Sequence, residues 1–328
     1  MDHQHFGSEE ERLLAWARSM IGNVRVTWRQ ARPWSLVLRL SDDLGAHHFL
    51  KHSVHRGAKE LLVLETLAST GLVPHVVAAS ENKATFIMLD HGARPPGTAC
   101  DFAHVLESVA MLEVYSAEKL ATFRDIEAIN AADDIRAFLD LLVDEALGVL
   151  QCADASTADT WAWSIDLLRR HSDFMEDLVG ATRALPRTLS HCDLHTLNTG
   201  IRADGTVVIA DWADAANGPA GTGLATMLDP FALASYLEFL DPDDRANPVI
   251  SYIHALANLG YSSQRELSAT MRGAAVLGYI RSALGLLPYY HQSYNLEFTR
   301  FMASQLAAAI AGMSIVGLGL HGDRHDRL

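Results

Sequence analysis

The stretch "SHCDLHTLNTGIRADGTVVIADWADA", Ser190 to Ala215, decides how the chain is read. It sets Asp193, Asn198 and Asp211 around a strand-turn-strand pattern. Between "TGIRA" and "TVVIA" lies Asp204-Gly205, a dipeptide suited to a two-residue hairpin loop because both central positions tolerate positive φ. That loop would set Ala203 against Thr206 and, walking outward, Asn198 against Asp211. The two side chains would then share a face at the open end of the hairpin, with Cα atoms roughly 5 Å apart.

An amide oxygen and a carboxylate, aligned, suit Mg2+ when it keeps waters and takes its other ligands from a nucleotide's phosphates. A separate carboxylate nearby, Asp193, can accept the proton of an attacking hydroxyl while the metal neutralises phosphoryl charge. This division of labour belongs to phosphoryl transfer. The competing reading is a polar-ended hairpin whose Asp193 and Asn198 cap turns.

"HCDLHTLN" followed by "VVIADW" resembles the catalytic segment of the aminoglycoside phosphotransferase and choline kinase-like family, a branch of the protein-kinase-like fold. The family pattern is H-x-D-x-x-x-x-N, then an apolar strand ending in a metal-binding Asp. The resemblance implies that Asp193 is the catalytic base, that His191 supports the loop, and that Asn198 and Asp211 hold magnesium. His195 matches a common family position and joins Asp214 as a candidate substrate contact. Cys192 stands where the family commonly has glycine, and Thr196 where it has proline. "GPAGTGLATML" resembles a segment that usually carries an Asp before its Leu-Ala, but this chain has Gly223, which puts the bracing of the catalytic loop in question.

A site of this kind needs a cation on the nucleotide's phosphates and an anion to hold that cation. Lys51 ends the strand-like run "HHFLKHS", and Glu60 stands in the first turns of the helical pattern that follows. Their order resembles the family's strand-lysine and helix-glutamate pair, although each residue alone is ordinary at its position. "TFIMLDHG" ends the last N-terminal strand, where the resembled hinge offers backbone groups to adenine; Leu89 to His91 are the candidates, with Met88 lining the pocket. The turn "RQARPWSLV" has no glycine-rich phosphate loop, and Ser35 is its candidate phosphate donor.

The rest of the chain fits around these motifs. Its 328 residues exceed a usual single core, so two lobes are expected. Strand patterns at "NVRVTW", "WSLVLRLS", "HHFLKHS", "HVVAAS" and "ATFIMLD" surround one helix at "RGAKELLVLETLASTG", preceded by an acidic amphipathic helix from Glu9 to Ile21. After Gly92 and Pro95-Pro96 the texture turns helical, roughly over 101–117, 119–153, 158–180, 230–240, 248–258, 265–287 and 295–318, interrupted by one strand signal, the hairpin. The expectation is an α+β, two-lobed protein-kinase-like fold: an N-terminal nucleotide-binding lobe over 1–91, an antiparallel sheet with one inserted helix, and a large mainly helical catalytic lobe over 92–328. ATP, with GTP as the alternative nucleotide, and Mg2+ are expected in the cleft between the lobes.

Composition narrows the partners. With 26 basic against 40 acidic residues the net charge is −14, which argues against a nucleic-acid backbone or an anionic membrane as partner. Three scattered cysteines form no disulfide framework, and the acidic N-terminus lacks the shape of a secretion signal, so a reducing cytoplasmic setting is expected. "FMASQLAAAIAGMSIVGLGL", Phe301 to Leu320, is as long as a membrane span, but its Ala, Gly, Ser and Gln content fits a buried helix better. His47, His48, His52 and His55 alternate poorly for a metal site and read as a polar edge. No G-x-S-x-G, P-loop or dinucleotide fingerprint occurs.

The expected reaction is transfer of the ATP γ-phosphoryl group to a hydroxyl of a small molecule by a monomer or homodimer. Glu238 and Asp241, in "LEFLDPDD", are candidate contacts to a cationic acceptor, as late acidic residues are in the resembled family. By that resemblance the acceptor is an antibiotic. A metabolic kinase for choline, an amino acid or a sugar is the alternative, and a catalytically silent binder is disfavoured by the intact set Lys51, Glu60, Asp193, Asn198 and Asp211.

Overall fold

A computed structural model describes residues 5–32, 34–129, 135–136, 139–140, 155–228, 232–233, 236–237, 246–290 and 310–312. The chain divides into two compact units, and the division is not a single cut. One unit comprises Met1–Pro95 together with Thr199–Asp214; the other comprises Pro96–Asn198 and Ala215–Leu328.

The first unit is built on five antiparallel strands, β1 (Val24–Arg32), β2 (Ser35–Asp42), β3 (His47–His52), β4 (Val76–Ala79) and β5 (Thr85–Leu89), in the order β1-β2-β3-β5-β4. Alternation gives the sheet two faces. Leu36, Leu38, Leu40, Leu50 and Ile87 form a buried layer closed by Leu13 and Ala17 of helix α1 (His5–Ile21). On the opposite face Lys51 is directly opposed to Phe86, and Phe49 to Met88. Helix α2 (Gly57–Leu67) follows β3 and buries Leu61, Leu64 and Leu67 together with Glu60.

Strands β7 (Thr199–Ile201) and β8 (Val207–Ile209) form the hairpin, joined to this unit by Ile209 N–H to Leu72 O at 2.8 Å and by a bridge between Arg94 and Ile201. Its register differs from the expectation by one residue. Thr199 faces Ile209, whereas a two-residue loop would set it against Ala210. Arg202 N–H bonds Thr206 O at 2.9 Å and Gly205 N–H bonds Arg202 O at 3.0 Å, so Ala203, Asp204 and Gly205 all lie in the loop. Gly205, at φ 86°, supplies the left-handed residue of a three-residue turn, and Asp204 accepts from Thr206 N–H at 2.9 Å. The dipeptide marks the turn correctly, but it serves either loop length, and the ladder pair expected between Asn198 and Asp211 falls with the register.

In the second unit, Thr98 and Asp101 form a reciprocal capping box at the start of helix α3 (Ala99–Ala117). Helix Pro248–Asn258, capped by Asn247, packs on α3, as does strand β6 (Arg187–Ser190). β6 pairs with β9 (Ala216–Pro219), a second short ladder that the single strand signal expected in this half does not include. Four-residue strands leave too little alternation to register in a sequence. The expected helix over 119–153 begins instead with consecutive turns between Ser116 and Ile126, and most of its remainder lies outside the described residues. The pattern over 158–180 becomes two helices, Ala155–Arg170 and Ser172–Ala181. The long helix Gln264–Tyr290 approaches the turn after β9 at Gly278, where an added Cβ would stand 2.1 Å from Thr222 O. The patterns over 230–240 and 295–318 lie mostly outside the described residues. Among the described residues no helix is long and apolar enough to cross a membrane.

Candidate active site

Lys51 is a buried cation on the face of the first unit's sheet that also carries Phe86 and Met88. Strand β3 places its ammonium 2.7 Å from Glu60 Oε2 on α2 and 2.5 Å from Asp211 Oδ1, just beyond β8. Burial alone would lower the ammonium pKa, but the Glu60 and Asp211 carboxylates outweigh it and hold Lys51 charged above its ordinary range. Glu60 has no solvent exposure, and burial pushes its carboxyl up to about 7 against the pull of Lys51. A buried cation flanked by one buried carboxylate and one carboxylate 42% exposed can hand part of its charge to an incoming anion without leaving the buried partner unpaired.

Asp211 sits at φ 60°, uncommon for a residue with a Cβ, directly before the short turn Trp212–Asp214. Trp212 is buried, and its indole N–H donates to Ile209 O at 2.9 Å, which anchors that turn to β8. Asp214, a candidate substrate contact, accepts a hydrogen bond from Arg56 at the start of α2. Ion pairs from Lys51 on β3 and from Arg56 at the start of α2 therefore reach the Asp211–Asp214 segment.

The hinge candidates separate by backbone. Leu89 N–H is taken by His75 O and Asp90 N–H by His47 O, each at 2.9 Å. His91 N–H bonds no backbone carbonyl among the described residues. Met88 shares the Lys51 face of the sheet, whereas Leu89, opposed to His48, points its side chain to the α1 face. Ser35 opens β2 opposite Arg32, beside the β1-β2 turn.

In the second unit, the segment after β6 folds into a loop tied by its own side chains. Asn198 Nδ2 donates to Asp193 O at 2.9 Å and to Asp193 Oδ2 at 3.3 Å. With its nitrogen directed there, the Asn198 Oδ1 is the atom left to act as a ligand. Asp193 N–H donates to His191 Nδ1 at 3.3 Å, Leu197 N–H to His195 Nδ1 at 3.2 Å, and Leu194 N–H to Thr226 Oγ1 at 2.9 Å. His191 is buried and the Asp193 carboxylate is 42% exposed, with His195 Nε2 3.6 Å away. His191 thus shapes the loop from below, and Asp193 presents an accessible oxygen above it. Cys192 has φ 60°, a conformation glycine adopts without steric cost, which accounts for the glycine common at this position in the resembled family.

The loop also has a brace that sequence reasoning missed. Glu113 of α3 is buried beneath it and accepts from Tyr252 Oη, from Ser190 Oγ at 3.4 Å and from the Gly221 amide. Burial pushes its carboxyl up to about 8, only partly offset by these donors. A signal existed: Glu113 lies on the same helical stripe as the buried Val105, Val109, Leu112 and Ser116. The candidate acceptor contacts Glu238 and Asp241 lie outside the described residues.

The chain was compared with known proteins. No family model matches it, and no curated protein matches it in sequence. Solved structures do. A choline kinase from Cryptosporidium parvum superposes with a TM-score of 0.60 at 13% identity, covering 95% of this chain and 99% of that one. The fold is protein-kinase-like. A macrolide 2'-phosphotransferase from Brachybacterium faecium gives a TM-score of 0.55 at 16% identity over 90% of this chain and 98% of its own. An amicoumacin kinase in complex with AMP-PNP, Ca2+ and Ami gives 0.54 at 14% identity over 96% and 97%. The protein-kinase-like fold expected from the sequence is thus the fold the chain has.

Proposed function

We propose that this protein is an ATP-dependent small-molecule kinase that phosphorylates a hydroxyl group, with an antibiotic as the acceptor class. The observation that carries the reading is Lys51 held between buried Glu60 and more exposed Asp211, on a fold shared with choline and antibiotic kinases. In this reading Lys51 binds the nucleotide's phosphates and Glu60 keeps its ammonium in place. The His91 amide and the Met88 side chain serve adenine, and Ser35 is a phosphate donor from the β1-β2 turn.

Asp211 would offer a carboxylate and Asn198 an amide oxygen, each a hard donor of the kind Mg2+ takes. Such an ion neutralises charge on the transferring group when bound. Asp193 orients the acceptor hydroxyl and takes its proton as the oxygen attacks the γ-phosphorus; the bond from γ-phosphorus to the bridging oxygen breaks, and ADP leaves. The products are a phosphate ester, ADP and a proton that Asp193 passes to water.

Incubating the purified chain with ATP, Mg2+ and a panel of hydroxylated antibiotics, choline, amino acids and sugars tests the proposal by mass spectrometry. A gain of one phosphoryl group, abolished by Asp193→Ala, supports it and identifies the acceptor. Phosphorylation of an acceptor at full rate by Asp193→Ala would remove the base assignment.

A further inference from the structure

The geometry points to Glu113 as a positioning residue that fixes the Ser190–Asn198 loop through a buried carboxyl joining four chain segments, a role resting on the proposed kinase reading of that loop. Glu113 is 1% exposed. It accepts from Tyr252 of helix Pro248–Asn258, from Ser190 at the end of β6, and from the Gly221 amide in the turn after β9. One turn further along α3, Ser116 Oγ accepts the Leu189 amide at 2.8 Å. Helix α3 therefore holds the backbone of Leu189 and the side chain of Ser190, the two residues that immediately precede His191.

A buried acid is costly, and here its cost supports a defined geometry. A methyl or methylene at position 113 would fill volume but could not bind three donors from three separate segments. Its partners also fall where a packing role alone has no reason to put them: Ser190 enters the loop that carries Asp193 and Asn198, and Gly221 lies in the turn that leads into the short helix Leu224–Met227, whose Thr226 receives the Leu194 amide. The same carboxyl thus acts on the loop from its entrance and from the segment beneath its middle.

Position 223 offers an independent means of testing this. Gly223 has an ordinary φ of −69°, and an added Cβ would stand 3.9 Å from Ser190 Oγ and 3.8 Å from Leu194 Cβ, an ordinary van der Waals distance. A carboxyl introduced there would stand beside Ser190 Oγ. If Glu113 acts by holding Ser190, moving the acid to position 223 should restore the loop; if it acts by filling α3's core, it should not.

Hydrogen-deuterium exchange read by mass spectrometry would follow peptides spanning 187–198 in the wild-type chain and in Glu113→Ala, Glu113→Gln, Ser190→Ala and the double variant Glu113→Ala/Gly223→Asp. Glu113→Ala should speed exchange in this segment about tenfold, the equivalent of one lost hydrogen bond, while β2, β3 and β5 keep wild-type exchange. Glu113→Gln, which keeps an acceptor and gains a donor for Ser190, should stay within about threefold of wild type. Ser190→Ala, which cuts the link from the loop side and leaves the core volume of α3 intact, should reproduce part of the Glu113→Ala effect, and the double variant should recover protection. Turnover of an acceptor found by the panel would show kcat falling with KM for ATP little changed. Unchanged loop exchange in both Glu113→Ala and Ser190→Ala, or no recovery on adding Asp at 223, overturns the inference. A wild-type chain that fails to phosphorylate any acceptor overturns the kinase reading alone, because the exchange measurement does not depend on turnover.

Discussion

Replacing Glu113 by Gln should change how stability depends on pH, and the size follows from the buried site. The carboxyl has an ordinary value of 4.5 and is pushed by burial up to about 8 in the folded chain. Between those values the folded state keeps a proton that the unfolded chain releases, so stability is fully present below the unfolded value and is lost as pH rises towards the folded one. Groups facing Glu113 do not cancel this: Tyr252 is raised by burial and stays protonated, Tyr261 is raised in the same direction, and Ser190 and the Gly221 amide carry no charge. At about 1.4 kcal/mol per unit of pH across the window, the wild type should lose on the order of 3 kcal/mol relative to Glu113→Gln between about pH 5 and pH 8. Urea unfolding of both chains at half-unit pH steps gives the difference directly, since histidines and surface carboxylates titrate alike in the two. Curves that run parallel within about 0.5 kcal/mol would mean that Glu113 is ionised at neutral pH with a partner other than those described, and the reasoning would fail.

Three further outcomes follow from the same site and its supports. Lys51→Met should destabilise the chain by about 3–5 kcal/mol, because it leaves Glu60 buried without its cation, and should weaken ATP binding measured by calorimetry. Double replacement with Glu60→Gln should recover most of the stability and none of the binding. Asp193→Asn should cut turnover about 100- to 10,000-fold with little change in nucleotide affinity, read from steady-state rates and calorimetry. Gly205→Ala should cost about 1 kcal/mol in unfolding free energy because φ 86° is strained for any residue with a Cβ, and Gly205→Asn should cost less.

Much of this arrangement was legible in the sequence because it rests on periodicity and punctuation. Strands β2 and β3 alternate, the helix at Gly57–Leu67 follows β3, and the helical pattern over 248–258 matches the helix Pro248–Asn258. The pairing of Lys51 with Glu60 follows from a strand and the helix next to it in the chain, whereas the contact of Lys51 with Asp211 joins distant segments and is not legible in local pattern. What was not legible depends on distance in the chain. The hairpin register was missed because Asp-Gly serves two loop lengths, and which one forms is decided by packing of Thr199–Ile209 against Leu72 and Arg94. Asp214 reads as an acidic residue near a site; its pairing with Arg56, far upstream, leaves no trace in local pattern. Glu113 lies in a helix pattern some eighty residues before the loop it touches, so only its acidic character on an apolar stripe hints at it.

The first unit's division into Met1–Pro95 and Thr199–Asp214 has a consequence for how the protein is made. A ribosome delivers the β1–β5 sheet early, with Lys51 and Glu60 already in place on β3 and α2. Asp211, the second carboxylate on Lys51, and the Leu72 carbonyl's partner at Ile209 emerge only after all of residues 96–198 have been synthesised. During that interval the nascent sheet carries an incomplete charge cluster and an unmatched backbone acceptor, and the second unit's first helices are already forming behind it. A gene fragment ending near Pro95 would therefore encode a sheet without its closing hairpin.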